Sequence, residues 1–310
     1  MNDICKQVSE LELFLSQYKN RNTYLAYKKA LTTFYAFLSS YYPAMTTLDG
    51  VTLEVMMDFQ SKLIATQKAK SINLTTSAVR IFFDFIKERN IIQLNQVKLL
   101  KPIPVSRREQ KITCMNLNET HQLIKYTNQV GQTAYDVNNK ILILILLNSG
   151  LRSEEMTSLK IKHMVENNDL YTITILGKGG RFRYITLSKE VTNRTKELIN
   201  EFIITSGFNL DENDYLIQNC SRGEKSKSEK PLDRSCMVAR ISKLAKDAGI
   251  EKRITTHSLR RTLATILYSR GTPVENIQRI LGHDDIKTTL CYIDSEIDKE
   301  VSLKCAVNLI

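Results

Sequence analysis

Residues 257–261 read His-Ser-Leu-Arg-Arg, one imidazole and two guanidinium groups within one turn of chain, preceded by the capping-type pair Thr255-Thr256. As a helix start, Thr255 or Thr256 is the N-cap, and Leu259, Leu263 and Ile266 recur along one apolar face. His257, Arg260 and Arg261 are then expected together on the opposite side. They lie at the positive end of the helix dipole, where backbone N–H groups lack partners. Guanidinium groups keep their charge and bind phosphate in a bidentate way, so this turn suits a phosphate-type oxyanion. Further groups of this kind lie at three separate places. Arg152 stands in Gly150-Leu151-Arg152-Ser153-Glu154-Glu155, between a Ser-Gly break and a new helix. Lys178 sits in Gly177-Lys178-Gly179-Gly180, the tip of a hairpin pattern, and His283 follows a helix-ending glycine in Leu281-Gly282-His283, ahead of Tyr292.

In order and spacing these fragments resemble the tyrosine recombinases, the phage integrase family, and the likeness covers nearly the whole chain. By motif, GLRSEE gives the family's first arginine as Arg152 and its supporting acidic residue as Glu155. GKGGR gives the catalytic lysine as Lys178, HSLR gives His257 and the second arginine as Arg260, LGH gives His283, and the tyrosine before Ile293 gives the nucleophile as Tyr292. Each fragment alone is commonplace; six in the right order are specific. Two positions depart from the family pattern, Arg261 where many members have a second histidine and Thr256 where many have proline, and neither is expected to carry chemistry. The likeness is to the simple two-domain, Xer-like branch, because the segment before the first helices is too short for an arm-binding domain.

The resemblance implies a site-specific recombinase that cleaves and rejoins double-stranded DNA through a 3′-phosphotyrosyl intermediate. It also implies a cytoplasmic, nucleoid-associated homo-tetramer on two recombination sites, acting alone or with a second recombinase, in mobile-element integration and excision or in dimer resolution. The chemistry fits. A phosphodiester broken and rejoined without loss of bond energy needs a protein nucleophile, and Tyr292 can store the bond as a phosphotyrosine. Arg152 and Arg260 can hold the charge that in-line attack places on the non-bridging oxygens. A phenol has a reference pKa of about 10, so a proton acceptor is required, and His257 is the best-placed candidate. Lys178 would protonate the departing 5′ oxygen, His283 would hydrogen-bond the scissile phosphate, and Glu155 would orient the neighbouring cations. No metal-ligand spacing is visible, and no metal or cofactor is called upon. The rivals are a type IB topoisomerase-like enzyme without strand exchange and a catalytically silent DNA-binding protein; the intact residue set argues against silence.

Composition agrees with a polyanionic partner: 310 residues carry a net charge of +11. No apolar run is long enough for a membrane span, the N-terminus lacks a signal-peptide pattern, and the six cysteines are dispersed without a C-x-x-C pair. The expected fold is mainly α with a small β-hairpin or sheet. Residues 1–100 form a helical bundle resembling the family's SAM-like core-binding domain, which clamps the opposite face of the duplex. Within it Tyr24, Tyr27, Leu31, Phe34, Tyr35 and Leu38 make a packed stripe at helical spacing. Lys28, Lys29, Lys62, Lys68, Lys70 and Arg80 are its candidate DNA contacts, joined by Arg107 and Arg108 of the linker. Pro102 and Pro104 disfavour continuous helix over this linker, 101–113.

Residues 114–310 form the α+β catalytic domain. Asn116 or Asn118 caps its first helix, KILILILLNSG is helical by context, and LYTITIL and RFRYITL pair as a hairpin. Cys291, adjacent to the nucleophile, is expected simply to pack. Over 294–310, Ile297, Val301, Cys305 and Ile310 approximate one apolar stripe, with Val307 and Leu309 beyond it. Periodicity alone fits equally a tail that folds back onto its own domain and one that docks on a neighbouring protomer; the family likeness favours the second.

Overall fold

The computed structural model describes residues 3–105, 113–177, 180, 182–220 and 228–293, without the side chains of 3–9. Lys178, Arg107, Arg108, the tail 294–310 and most of the linker lie outside the described residues. The chain divides into two compact units, Met1–Gln110 and Lys111–Ile310.

The first unit is helical: α1 (Asp3–Ser16), α2 (Arg21–Tyr41), α3 (Leu53–Ile64) and α4 (Ala69–Glu88). Two of these helices start where short polar side chains satisfy orphan N–H groups. Asn20 accepts from the backbone of Asn22 and Thr23 ahead of α2, and Thr52 accepts from Val55 ahead of α3. Leu31, Phe34 and Leu38 of the α2 stripe are buried, and its tyrosines pack against the same core. Phe14, Phe34, Phe59, Phe82 and Phe83 fill that core with edge-on ring contacts, Phe34 to Phe59 at 5.1 Å and Phe14 to Phe82 at 5.3 Å.

The stretch after α4 belongs to this packing. Val97 and Leu100 are buried in the aromatic core, and Asn73 holds both the N–H and the carbonyl of Ile103 at 2.8 Å. Arg80 is therefore not the free surface cation the sequence suggests: its Nη2 donates to the Leu100 carbonyl at 2.8 Å. Lys28, Lys29, Lys62, Lys68 and Lys70 are exposed.

The second unit is built around α6 (Ala134–Ser149), the apolar run that sequence alone leaves between strand and helix. Val137, Ile141, Leu142, Ile145 and Leu146 are buried on it, with α5 (Leu117–Gln129), α8 (Lys189–Ser206) and α10 (Thr256–Ser269) packed round. A helix apolar on nearly every side is one buried on nearly every side. Asn116 caps α5 through a reciprocal bond pair with Glu119, and Thr133 with Asp136 does the same for α6. Between α6 and α8 lie the short α7 (Ser153–Thr157) and three antiparallel strands in order, β1 (Met164–Asn167), β2 (Leu170–Leu176) and β3 (Phe182–Thr186).

β2 and β3 are the expected hairpin, while β1 is an addition, joined to β2 through Asn168 and Asp169 at φ 47° and 61°. Ile173 pairs Ile185 and Ile175 pairs Arg183, so Arg183 shares the inward face with three isoleucines. Phe182 and Tyr184 face solvent. After α9 (Arg234–Asp247) come α10, α11 (Val274–Leu281) and helical residues 286–293. Among the described residues no helix is long and apolar enough to cross a membrane.

Candidate active site

Thr255 is the N-cap of α10, its hydroxyl taking the N–H of Ser258. Leu259 faces the core as expected, but the arginine after it does not face water. Arg260 is 1 % exposed, whereas the sequence places it opposite the core. The reason is hydrogen bonding: Nη1 donates to the carbonyl of Gly150 and Nη2 to that of Leu281. A buried cation is tolerable only with such partners. Gly150 closes α6 at φ 60°, and a Cβ there would lie 2.8 Å from a Leu281 methyl, so glycine is required by both conformation and space.

Two residues further on, Arg152 caps α7. Its backbone N–H and guanidinium both bind Glu155, at 2.7 and 3.0 Å, and its Nη2 donates to the carbonyl of Gly282. The two arginines expected from sequence thus converge on consecutive carbonyls at the C-terminus of α11. Glu155 is also held from the sheet by Arg183, whose Nη1 and Nη2 reach its two oxygens at 2.7 and 2.6 Å. Burial alone would raise the Glu155 pKa. The bonds from Arg183 and the Arg152 backbone, with the Arg183 charge and the Arg152 side chain, outweigh it and hold the carboxyl at about 2.

His283 follows Gly282, is buried, and shares a 2.9 Å hydrogen bond between Nδ1 and the Thr289 hydroxyl. Burial, then the charges of Arg260, Arg152 and Arg183, lower its pKa to about 4. His257 is exposed at the start of α10. Its pKa is lowered too, by partial desolvation and then by Arg260, Arg261, Arg152 and Arg234. Both rings therefore favour the neutral form at pH 7, which a proton acceptor needs.

The Tyr292 ring meets that of His283 edge-on, centroids 4.9 Å apart at 86°, and carries the Arg261 guanidinium over it at 4.7 Å. It packs on the cluster of Ala264, Ile277, Leu281 and Ile293. Cys291 is exposed rather than packed. Burial and the nearby Arg152 lower the Arg260 pKa, the Tyr292 hydroxyl and Glu155 oppose this, and the guanidinium stays charged at neutral pH.

Arg152, Arg260, His257, His283, Glu155 and Tyr292 are thus tied together by contacts or by mutual electrostatic influence. Sequence reading misses Arg183 and Thr289 and assigns no chemistry to Arg261. The isoleucines cross-strand from Arg183 are the signal that could have turned it inward.

Chemically, the described site is an anion trap beside a phenol. The guanidinium groups of Arg152 and Arg183 bind the carboxylate of Glu155, and that of Arg260 feels its charge without bonding to it, so three cations against one carboxylate leave net positive charge in a partly desolvated place.

Comparison with known proteins agrees. Residues 114–298 match the phage integrase family and residues 9–90 the phage integrase N-terminal SAM-like domain. The chain is 26 % identical over 304 residues to the tyrosine recombinase XerC of Rickettsia prowazekii, covering 96 % of this chain and 93 % of that one. It is 25 % identical over 307 residues to XerH of Campylobacter jejuni, covering 95 % and 81 %. Its fold resembles a post-cleavage complex of the XerH site-specific recombinase with a palindromic difH substrate (TM-score 0.74, 23 % identity, 92 % and 79 % covered). It also resembles a lambda integrase dimer bound to a COC′ core site (TM-score 0.72, 15 % identity, 96 % of both chains). With a matching family model over most of its length and a site assembled from that family's motifs, the chain belongs to the phage integrase family, the tyrosine recombinases.

Proposed function

We propose that this protein is a site-specific DNA recombinase in which Tyr292 attacks the scissile phosphodiester and holds the strand as a 3′-phosphotyrosine until a new 5′-hydroxyl displaces it. The observation that carries the reading is the excess of guanidinium over carboxylate beside Tyr292, a charge pattern suited to a phosphate and not to a neutral or cationic substrate. Arg152 and Arg260 contact the non-bridging oxygens. His257, exposed at the start of α10, takes the tyrosine proton, and His283, buried and held through Nδ1 by Thr289, hydrogen-bonds the phosphate. Lys178, between β2 and β3 in the sequence, protonates the departing 5′ oxygen. Glu155 holds Arg152 in place.

The first unit binds the duplex through exposed lysines such as Lys28, Lys29, Lys62, Lys68 and Lys70, and a cytoplasmic, nucleoid-associated tetramer brings two sites together. The similar structures support the partner: in one, XerH is bound to a difH substrate, and in another a lambda integrase tetramer is bound to a Holliday junction. The decisive experiment first selects bound sites from random duplexes, then incubates two differently labelled duplexes carrying the selected site. Products with exchanged flanks are expected from the intact protein and not from Tyr292→Phe. Relaxation of supercoiled DNA without exchange would favour the topoisomerase-like alternative, and binding without cleavage the silent one.

A further inference from the structure

Arg261 follows the buried Arg260 on α10, and the family likeness gives it no task. Its surroundings do. The guanidinium carbon stands 4.7 Å from the centre of the Tyr292 ring, the side chain is half-buried, and among the described residues no carboxylate pairs with it. The consecutive arginines of one turn therefore divide their targets. Arg260 turns in to the carbonyls of Gly150 and Leu281, while Arg261 lies over the phenol that His283 meets edge-on. A cation over an aromatic face is attracted by the ring quadrupole. Loss of the hydroxyl proton puts a full negative charge in conjugation with that ring, so the contact strengthens as the nucleophile forms.

We propose that Arg261 is a positioning residue for the nucleophile, its stacked guanidinium orienting the Tyr292 ring and stabilising the negative charge that gathers on it during cleavage and rejoining. The inference rests on Tyr292 being the nucleophile. In cleavage the Tyr292 proton passes to the base, the Oη–P bond forms, and the P–O5′ bond breaks as the 5′ oxygen takes up a proton. In rejoining the same phenolate is the leaving group. A contact that stabilises it serves both directions equally, unlike one made to the 5′ strand.

The test uses the full chain with Arg261→Lys, Arg261→Gln and Arg261→Leu, and Tyr292→Phe as control. Duplex affinity is titrated on a selected site. Single-turnover adduct formation on a nicked duplex, and rejoining from the isolated adduct, are then timed at saturating protein. Arg261→Gln and Arg261→Leu are expected to slow both directions about 3- to 30-fold, the span of a partly desolvated cation–π contact. Arg261→Lys should recover part of the rate, because an ammonium still lies over the ring, and affinity should change much less than rate. Rates at saturation equal to those of the unaltered protein, a loss confined to affinity, or a lysine variant as slow as the leucine one each overturn the proposal. Adduct formation by Tyr292→Phe overturns the nucleophile assignment and this inference with it, and shows as a failure of the control alone.

Discussion

Glu155 is the residue on which the positive groups of the site depend. Its carboxylate accepts twice from Arg152 and twice from Arg183 and is little exposed, so replacing it strands the buried cation of Arg183. The folded pKa of about 2 lies below the unfolded value, so the stabilisation is full above pH 4.5 and disappears as pH falls towards 2. Glu155→Gln should therefore cost about 3 kcal/mol at neutral pH. In denaturant titrations of the full chain, the gap to the unaltered protein should stay constant from pH 8 to 5 and close below pH 4.5; a gap that persists at pH 2.5 would show that the ion pair is not its source. The imidazoles give a second residue-scale expectation. Histidine proton titration by NMR should find His283 ionising near pH 4 and His257 below 6.5, both neutral at pH 7. A His257 ring still protonated at pH 8 would remove it as the proton acceptor.

Among the elements, the C-terminus of α11 does the joining. Its orphan carbonyls, which a helix end must satisfy somehow, are taken by Arg260 at Leu281 and by Arg152 at Gly282. His283 and the helical residues that carry Tyr292 follow at once, so one helix end fixes the distance between anion trap and nucleophile. Gly282 makes the turn at φ 65°, and a Cβ there would sit 2.9 Å from the Arg183 guanidinium. Gly282→Ala should therefore cost both backbone strain, about 1 kcal/mol, and the Arg183–Glu155 contact. Gly207, which ends α8 at φ 78° with open space where its Cβ would go, is the control for strain alone. Thermal unfolding should show a modest loss for both variants, and adduct formation should fall at least tenfold only for Gly282→Ala. Equal effects on cleavage would mean that α11 and β3 do not communicate through Arg183.

At the scale of the whole molecule, a basic chain with exposed lysines on its first unit and a cationic site on its second should bind DNA with strong salt dependence. The logarithm of the affinity is expected to fall by about 0.9 per phosphate neutralised for each decade of salt, and exchanging Lys28 and Lys29 together for glutamine should make that slope shallower. Most of the architecture is legible in the sequence because its signals are local: caps at Asn116 and Thr255, the α2 stripe, the paired β runs and the helix-ending glycines. The burial of Arg260 and the inward turn of Arg183 are not, since both are decided by carbonyls and a carboxylate that arrive from distant segments. Local alternation would as readily have buried Phe182 and Tyr184. The assembled site makes one claim above the others, that Tyr292 becomes covalently joined to DNA. Trapping the protein on a nicked duplex bearing its selected site, digesting both partners and sequencing the modified peptide by mass spectrometry tests it directly. The expected result is a nucleotide linked through its 3′-phosphate to Tyr292, with a free 5′-hydroxyl on the released strand; a modification on any other residue, or cleaved DNA with no protein attached, would contradict it.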